Sequence, residues 1–176
     1  GEETRPAQRY ERLGRVAKAL TRVRVSGDAD MAAVLQDPAL RADAKFVLGG
    51  GSNIVLTGDV KPLVLKVEIM GKRLVGETAK AWIVEAGAGE NWHELVTWSL
   101  QNGYPGLENL ALIPGSVGAS PVPNIGAYGV EPQDRFEALD ALDLGARQPF
   151  TLPAAPCAVG FRDPCSHHAR ASAACA

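Results

Sequence analysis

The residues best suited to chemistry in this chain are those with the least side chain. Val47–Asn53 reads VLGGGSN. Three successive glycines permit positive φ and close approach, so main-chain N–H groups can converge on a concave site, and Ser52 and Asn53 add side-chain donors. Placed directly after a strand, such a loop suits a phosphate or diphosphate; it suits a flexible turn between strands equally well. No Lys-Ser or Lys-Thr follows and no Gly-x-Gly-x-x-Gly opens a helix, so neither a P-loop nor a Rossmann fingerprint is supported.

A second region repeats the property at greater length. Ile113–Pro121 (IPGSVGASP) and Asn124–Gly129 (NIGAYG) are glycine-paired segments separated by prolines. A linker would be polar, whereas this stretch carries Leu110, Leu112, Ile113, Val117, Val122 and Ile125. It should be buried, yet it cannot bond along its whole length as helix or sheet. Its polar backbone therefore needs other partners. A large, flat, polar-edged ligand is one candidate, and a packed Ω-like loop is the other.

The elements that would position these loops follow from periodicity. Residues 1–20 are charged with weak periodicity and suggest a frayed helix or an arm. RVRV (Arg22–Val25) alternates as a strand does. SGDADMAAVLQDP supplies Ser26 or Asp28 as a cap, Met31, Val34 and Leu35 as an apolar face, and Pro38 as a stop. Strands are expected at Lys45–Leu48, Ile54–Leu56 and Leu63–Val67, in a β-α-β-loop-β order that favours a small sheet with parallel pairing. Arg73–Val75 and Trp82–Ala86 read as a hairpin or meander. Helix signals are clearest in GENWHELVTWSLQNG, with Glu90 or Asn91 as cap, Trp92, Leu95, Val96 and Leu100 on one face, and Gly103 at C′. Phe136–Leu144 and Phe150–Leu152 should pair across a turn near Gly145. The texture changes near residues 67–72, which marks a subdomain boundary.

Composition bounds the function classes. The chain has 176 residues, long enough for one compact unit, and 46% are apolar. Much of that fraction is Ala and only 6% is aromatic, so the core should be thin. Net charge is −2, and no Lys/Arg run interleaves with aromatics, which argues against a nucleic-acid partner. Apolar runs fall short of the roughly 20 residues that span a bilayer. The charged start GEETRPAQRYERLGR holds no apolar signal core. Cys157, Cys165 and Cys175, odd in number and without Cys-x-x-Cys, fit a reducing, cytoplasmic compartment.

Taken together and in order, LGGGSN (Leu48–Asn53), AGENWHELV (Ala88–Val96), PGLENLALIPGSVGASP (Pro105–Pro121), NIGAYGVE (Asn124–Glu131) and GFRD (Gly160–Asp163) closely resemble the UDP-N-acetylenolpyruvoylglucosamine reductase (MurB) family. These are flavoenzymes of bacterial peptidoglycan precursor synthesis. The resemblance runs from about Arg22 to Asp163. It implies an α+β, two-subdomain FAD-binding fold of the PCMH/MurB type, the subdomains at 22–67 and 68–163, with noncovalent FAD between them. Leu48, Gly49, Gly50, Gly51, Ser52 and Asn53 would then cradle the diphosphate. Ile113, Pro114, Gly115, Ser116, Val117, Gly118, Ala119 and Ser120, with Asn124, Ile125, Gly126, Ala127, Tyr128 and Gly129, would wall the flavin and ribityl chain.

The family reaction is two hydride transfers, from NADPH to flavin and from flavin to the enolpyruvyl double bond of UDP-N-acetylglucosamine enolpyruvate. Hydride addition pushes negative charge into the adjoining carboxylate, and Arg162 matches the family arginine placed to stabilise it. The departures are equally specific. The family protein is considerably longer, and its C-terminal substrate domain carries a serine proton donor and a catalytic glutamate without counterparts here. That domain is therefore expected to be absent and full turnover to be missing. Pro123 stands where Gln is common, Phe161 where Tyr is frequent, and the usual Asn-Thr-Phe is not recognisable in the divergent arm 1–21. PCSHHARASAACA from Pro164 onward has no Leu, Ile, Val or Phe and reads as a disordered or out-of-frame tail.

Other features weigh less. His93 should face solvent. Cys165-Ser-His-His with Cys175 fits no common zinc framework, so no metal is expected. Trp82, Trp92 and Trp98 read as packing residues, and Glu108 as a cap or brace. Two alternatives to a reductase remain open at this stage: a noncatalytic remnant that at most binds FAD or a partner, and another flavin oxidoreductase of the same fold.

Overall fold

The computed structural model describes residues 10–12, 15–17, 21–38, 40, 45–122, 125–130, 135–153 and 172–175. The N-terminal region holds a short antiparallel hairpin, Tyr10–Arg12 (β1) with Arg15–Ala17 (β2), where a frayed helix or arm was expected. Next come Arg22–Val25 (β3), the helix Asp28–Gln36 (α1), Lys45–Leu48 (β4) and Leu63–Val67 (β5). β5 lies between β3 and β4 and runs parallel to both. Its LVLKV is buried at every position but Lys66, as befits a strand flanked by neighbours and covered on its faces. Met31 and Val34 of α1 close one face over Val25, Leu63 and Leu65.

Gly27, not Ser26 or Asp28, is the N-cap of α1, and no side-chain oxygen caps it. The Ser26 N–H instead donates to Asp30 inside the first turn, at 2.7 Å. Ile54–Leu56 is no strand either. Val55 is exposed and only Ile54 packs beside Leu48 and Val64, so the segment is anchored by one side chain and makes no ladder with the sheet.

The second sheet is built from hairpins. Lys72–Glu77 (β6) pairs antiparallel with Trp82–Ala86 (β7), and Phe136–Asp143 (β8) with Gln148–Pro153 (β9). Ser172–Cys175 (β10) lies between β7 and β8 and completes the order β6-β7-β10-β8-β9. For these four residues the expected disorder is corrected. A sheet ladder is made by backbone N–H and C=O groups, which a composition lacking large apolar side chains still supplies. Among the described residues the architecture is α+β: the two-stranded β1–β2 sheet, a three-stranded parallel sheet, a five-stranded antiparallel one and two named α-helices. No described helix is long and apolar enough to cross a membrane.

Helix Trp92–Gln101 (α2) anchors the larger core. Asn91 caps it, its side chain accepting from the Glu94 N–H at 3.1 Å. Its C-terminus closes with Tyr104 N–H on Ser99 O (2.8 Å) and Gly103 N–H on Leu100 O (3.1 Å), with Gly103 at φ 80°. This is the Schellman arrangement expected of a glycine at C′. Trp92, Leu95, Val96 and Ser99 face the core, and Trp92 donates its indole N–H to Leu110 O at 2.9 Å. Leu100 is 44% exposed, against expectation, and Ser99 takes the inward position. The cores are linked where Leu142 and Leu144 reach the cluster around Leu65.

This assignment of faces is testable by urea denaturation. Leu95→Ala should cost about 2–5 kcal/mol as a cavity in a packed core. Leu100→Ala should stay within about 0.5 kcal/mol of the parent. Equal losses would mean the helix is rotated.

Candidate functional site

β4 delivers the first wall of a cleft of about 610 Å³. Gly49, Gly50, Gly51, Ser52 and Asn53 line it directly after the strand, with Gly51 at φ 75°. Lys66 sits opposite Leu48 in the β4–β5 register and donates from Nζ to Gly49 O. That bond ties the loop's first carbonyl to the sheet and places a cation next to the loop. Burial pulls the Lys66 pKa below its usual 10.5; nearby Glu68 opposes the shift and Arg22 adds to it.

The second wall is Pro114–Ser120. It pairs with the chain entering α2: Trp92 N–H donates to Gly115 O (3.1 Å), Val117 N–H to Glu90 O (2.9 Å) and Gly118 N–H to Ala88 O (2.9 Å). Close approach explains the glycines. A Cβ at Gly118 would lie 2.6 Å from that of Ala88 and one at Gly49 would lie 2.4 Å from Ser116 Oγ, whereas one at Gly50 would meet the Gly115 backbone at an ordinary 3.6 Å. Leu112 enters the wall at φ 62°, its N–H donating to His93 Nδ1 at 3.2 Å. His93 is half-buried and, from the solvent side, braces the wall through this exposed bond. Glu108 braces the preceding turn by accepting from Gly106 N–H at 2.8 Å.

The structure sorts the candidate residues. Gly49, Gly50, Gly51, Ser52, Asn53, Pro114, Gly115, Ser116, Gly118, Ala119, Ser120 and Ile125 line one cleft. Leu48 and Val117 turn their side chains into the core, so only their backbone is available to a ligand. Ile113 and Ala127 pack against the main core, while Tyr128 is 90% exposed at φ 53°. Gly126 and Gly129 are exposed and do not line the cleft. Asn124, Arg162 and the Cys165-Ser-His-His run lie outside the described residues.

Sequence reasoning missed the cleft's ends. Lys45, Phe46, Val47, Ile54, Val67, Ala88, Trp92, Val122, Leu144 and Gly145 also line it. Trp92 thus both fills the core and borders the cleft. Leu144 and Gly145 come from the β8–β9 turn, which only the tertiary fold brings to residues a hundred positions earlier; no local signal pointed to them.

Two observations test the fit of a dinucleotide. The Ser116 side chain is 95% buried (residue 5% exposed) and its Oγ has no hydrogen-bond partner, at a point bordering the cleft. A buried hydroxyl without a partner costs about 1–3 kcal/mol, which a polar ligand would relieve. Gly49, Gly50, Gly51, Gly115 and Gly118 line the cleft, so no side chain stands between a ligand and the main chain at these points of the two walls. The residues therefore fit a long cofactor with a diphosphate and a polar-edged ring, and the volume lies in the range of cofactor sites, about 300–1,000 Å³.

Comparison with known proteins points the same way. A model described as an FAD binding domain matches residues 19–146. The UDP-N-acetylenolpyruvoylglucosamine reductases of Azoarcus sp. (strain BH72) and Paraburkholderia phymatum are 54% and 49% identical over 155 and 158 residues, or 86% and 90% of this chain. The chain spans only 45% and 46% of those relatives' lengths. Among solved structures, MurB from Thermus caldophilus superposes with a TM-score of 0.67 at 21% identity, covering 91% of this chain and 54% of that one. GilR, an oxidoreductase of gilvocarcin biosynthesis, gives 0.59 at 17% identity, covering 91% and 35%. These two likenesses establish the fold.

The close backbone packing predicts that Gly118→Ala costs roughly 1–3 kcal/mol by overpacking against Ala88, measured by urea denaturation. Lys66 gives a pH signature. Between its depressed folded value and 10.5 the unfolded chain binds more protons at this site, so its contribution to stability rises with pH across that window. Lys66→Met should remove that rise when denaturation midpoints are compared at alkaline pH.

Proposed function

The chain belongs to the FAD-binding domain family, and from that premise we propose that it is the FAD-binding part of a UDP-N-acetylenolpyruvoylglucosamine reductase, using NADPH to convert UDP-N-acetylglucosamine enolpyruvate to UDP-N-acetylmuramate. The role belongs to peptidoglycan synthesis and to a cytoplasmic protein. The observation that supports it most is the meeting of Gly49–Asn53 and Pro114–Ser120 across one cleft, with Ser116 Oγ buried and unpartnered between them.

In this reading residues 22–67 and 68–163 are the two FAD-binding subdomains. Backbone N–H groups of Gly49, Gly50 and Gly51, with the Ser52 and Asn53 side chains, hold the diphosphate, helped by the Lys66 charge. Gly115, Ser116, Gly118, Ala119 and Ser120, with Ile125, hold the ribityl chain and ring. When bound, FAD supplies two-electron hydride chemistry between a nicotinamide and an electron-poor double bond. Arg162 pairs with the carboxylate beside that double bond, its fork of donors matching two oxygens whose charge grows toward the transition state.

The test is a flavin spectrum. The purified chain, or the chain reconstituted with FAD, should be yellow, and Gly49→Val should weaken FAD binding about tenfold or more, equivalent to about 1.4 kcal/mol. A colourless protein that takes up no FAD overturns the proposal. Steady-state assay with NADPH and the enolpyruvyl sugar then measures how much of the reaction these 176 residues carry.

A further inference from the structure

Four stretches of main chain lie side by side under the cleft: Gly49–Gly50, Gly115–Gly118, Ala88–Glu90 and Glu68–Gly71. The last is the crossover from the first sheet to the second. Gly87 N–H donates to Gly71 O (2.8 Å) and Gly89 N–H to Ile69 O (2.7 Å). A Cβ at Gly87 would sit 2.3 Å from Ile69 O, and one at Gly89 would sit 2.7 Å from the Glu68 backbone. Within this stack is one buried carboxylate. Glu90 is 3% exposed; its Oε1 accepts from Gly71 N–H at 2.7 Å and its Oε2 from the Lys72 ammonium. Its own carbonyl accepts from Val117 N–H at 2.9 Å, in the cleft's second wall.

We infer that Glu90 is a positioning residue for the cofactor, locking the Ser116–Gly118 wall to the Gly71–Lys72 crossover and so setting the distance between the two walls. This rests on the FAD reading above. Glu90 does not itself line the cleft, whereas Ala88 and Trp92 on either side of it do, and it does not cap α2, a task Asn91 performs. A desolvated carboxylate is costly unless paired and hydrogen-bonded, and an apolar pair of the same size would stabilise the fold about as well. What the ionic lock adds is geometry. Its two oxygens fix both a backbone N–H and a lysine, so the segment carrying Ala88, Glu90 and Trp92 cannot slide relative to the crossover.

The experiment measures FAD affinity by fluorescence titration on the 176-residue chain, alongside thermal melts without FAD. Glu90→Gln keeps the size and the acceptor for Gly71 N–H but loses the ionic pair; Lys72→Met breaks it from the other side. Each should weaken FAD binding about tenfold, and the double variant no more than either single one, because both open the same lock. Trp82→Leu, which loses the ring contact with Tyr104 where neither residue lines the cleft, serves as control and should shift the melt while leaving FAD affinity within about twofold. A folded Glu90→Gln or Lys72→Met that binds FAD within twofold of the parent overturns the inference, and Lys72→Met decides if Glu90→Gln fails to fold. So does a double variant whose losses add. Failure of the parent chain to bind FAD overturns the FAD reading and this inference with it.

Discussion

Beside the cleft main chain packs directly on main chain, and a methyl group at Gly87, Gly89 or Gly118 would lie closer to its neighbour than real contacts allow. That constraint governs the rest. Stretches without side chains cannot hold together by hydrophobic burial of their own, so they hold by hydrogen bonds between backbones: Gly118 to Ala88, Val117 to Glu90, Gly89 to Ile69 and Gly87 to Gly71. Buried main-chain groups have to find partners, and here they find one another.

Hydrophobic burial works at a distance from this layer. Trp92, Leu95 and Val96 of α2 clamp the wall from behind through Leu110 and Val117, all fully buried. Val25, Leu63 and Leu65 do the same for the sheet that carries the glycine loop. Each core thus supports one wall. Between them run charged groups near the crossover: Glu68 accepts from Arg24 at 2.6 Å and lies 3.6 Å from Arg22, and Glu90 holds Lys72. The Arg73–Glu85 pair on the outer sheet is mostly exposed and contributes little, as surface pairs generally do.

The same framework serves proteins with different names. MurB from Thermus caldophilus and GilR both superpose on more than nine-tenths of this chain at identities near one in five. A fold shared at that level carries the geometry of the cleft but not the reaction, which depends on groups brought to it. For the reductase reading those groups are Arg162 and whatever lies beyond the half of the relatives' length that this chain spans.

Much of the fold was legible in local pattern. Alternation marked β3, and apolar runs bounded by turn residues marked β4 and β5. The i, i+3, i+4 spacing of Trp92, Leu95 and Val96 with Gly103 behind them marked α2. Misreadings came where pattern is silent about neighbours. Ile54–Leu56 has strand composition yet leaves Val55 in solvent and joins no ladder, Leu100 has helix periodicity but faces outward, and Ser172–Cys175 has no large apolar side chain yet lies between β7 and β8. The sequence by itself determined where the backbone is bare, because glycine and proline act on their own residues' φ and on the space beside them. Only the tertiary structure decided which bare segments face each other, that Lys66 and Glu90 serve them, and that the β8–β9 turn closes the end. Those are contacts between residues far apart in the chain, fixed by packing and by the scarcity of partners for buried charge.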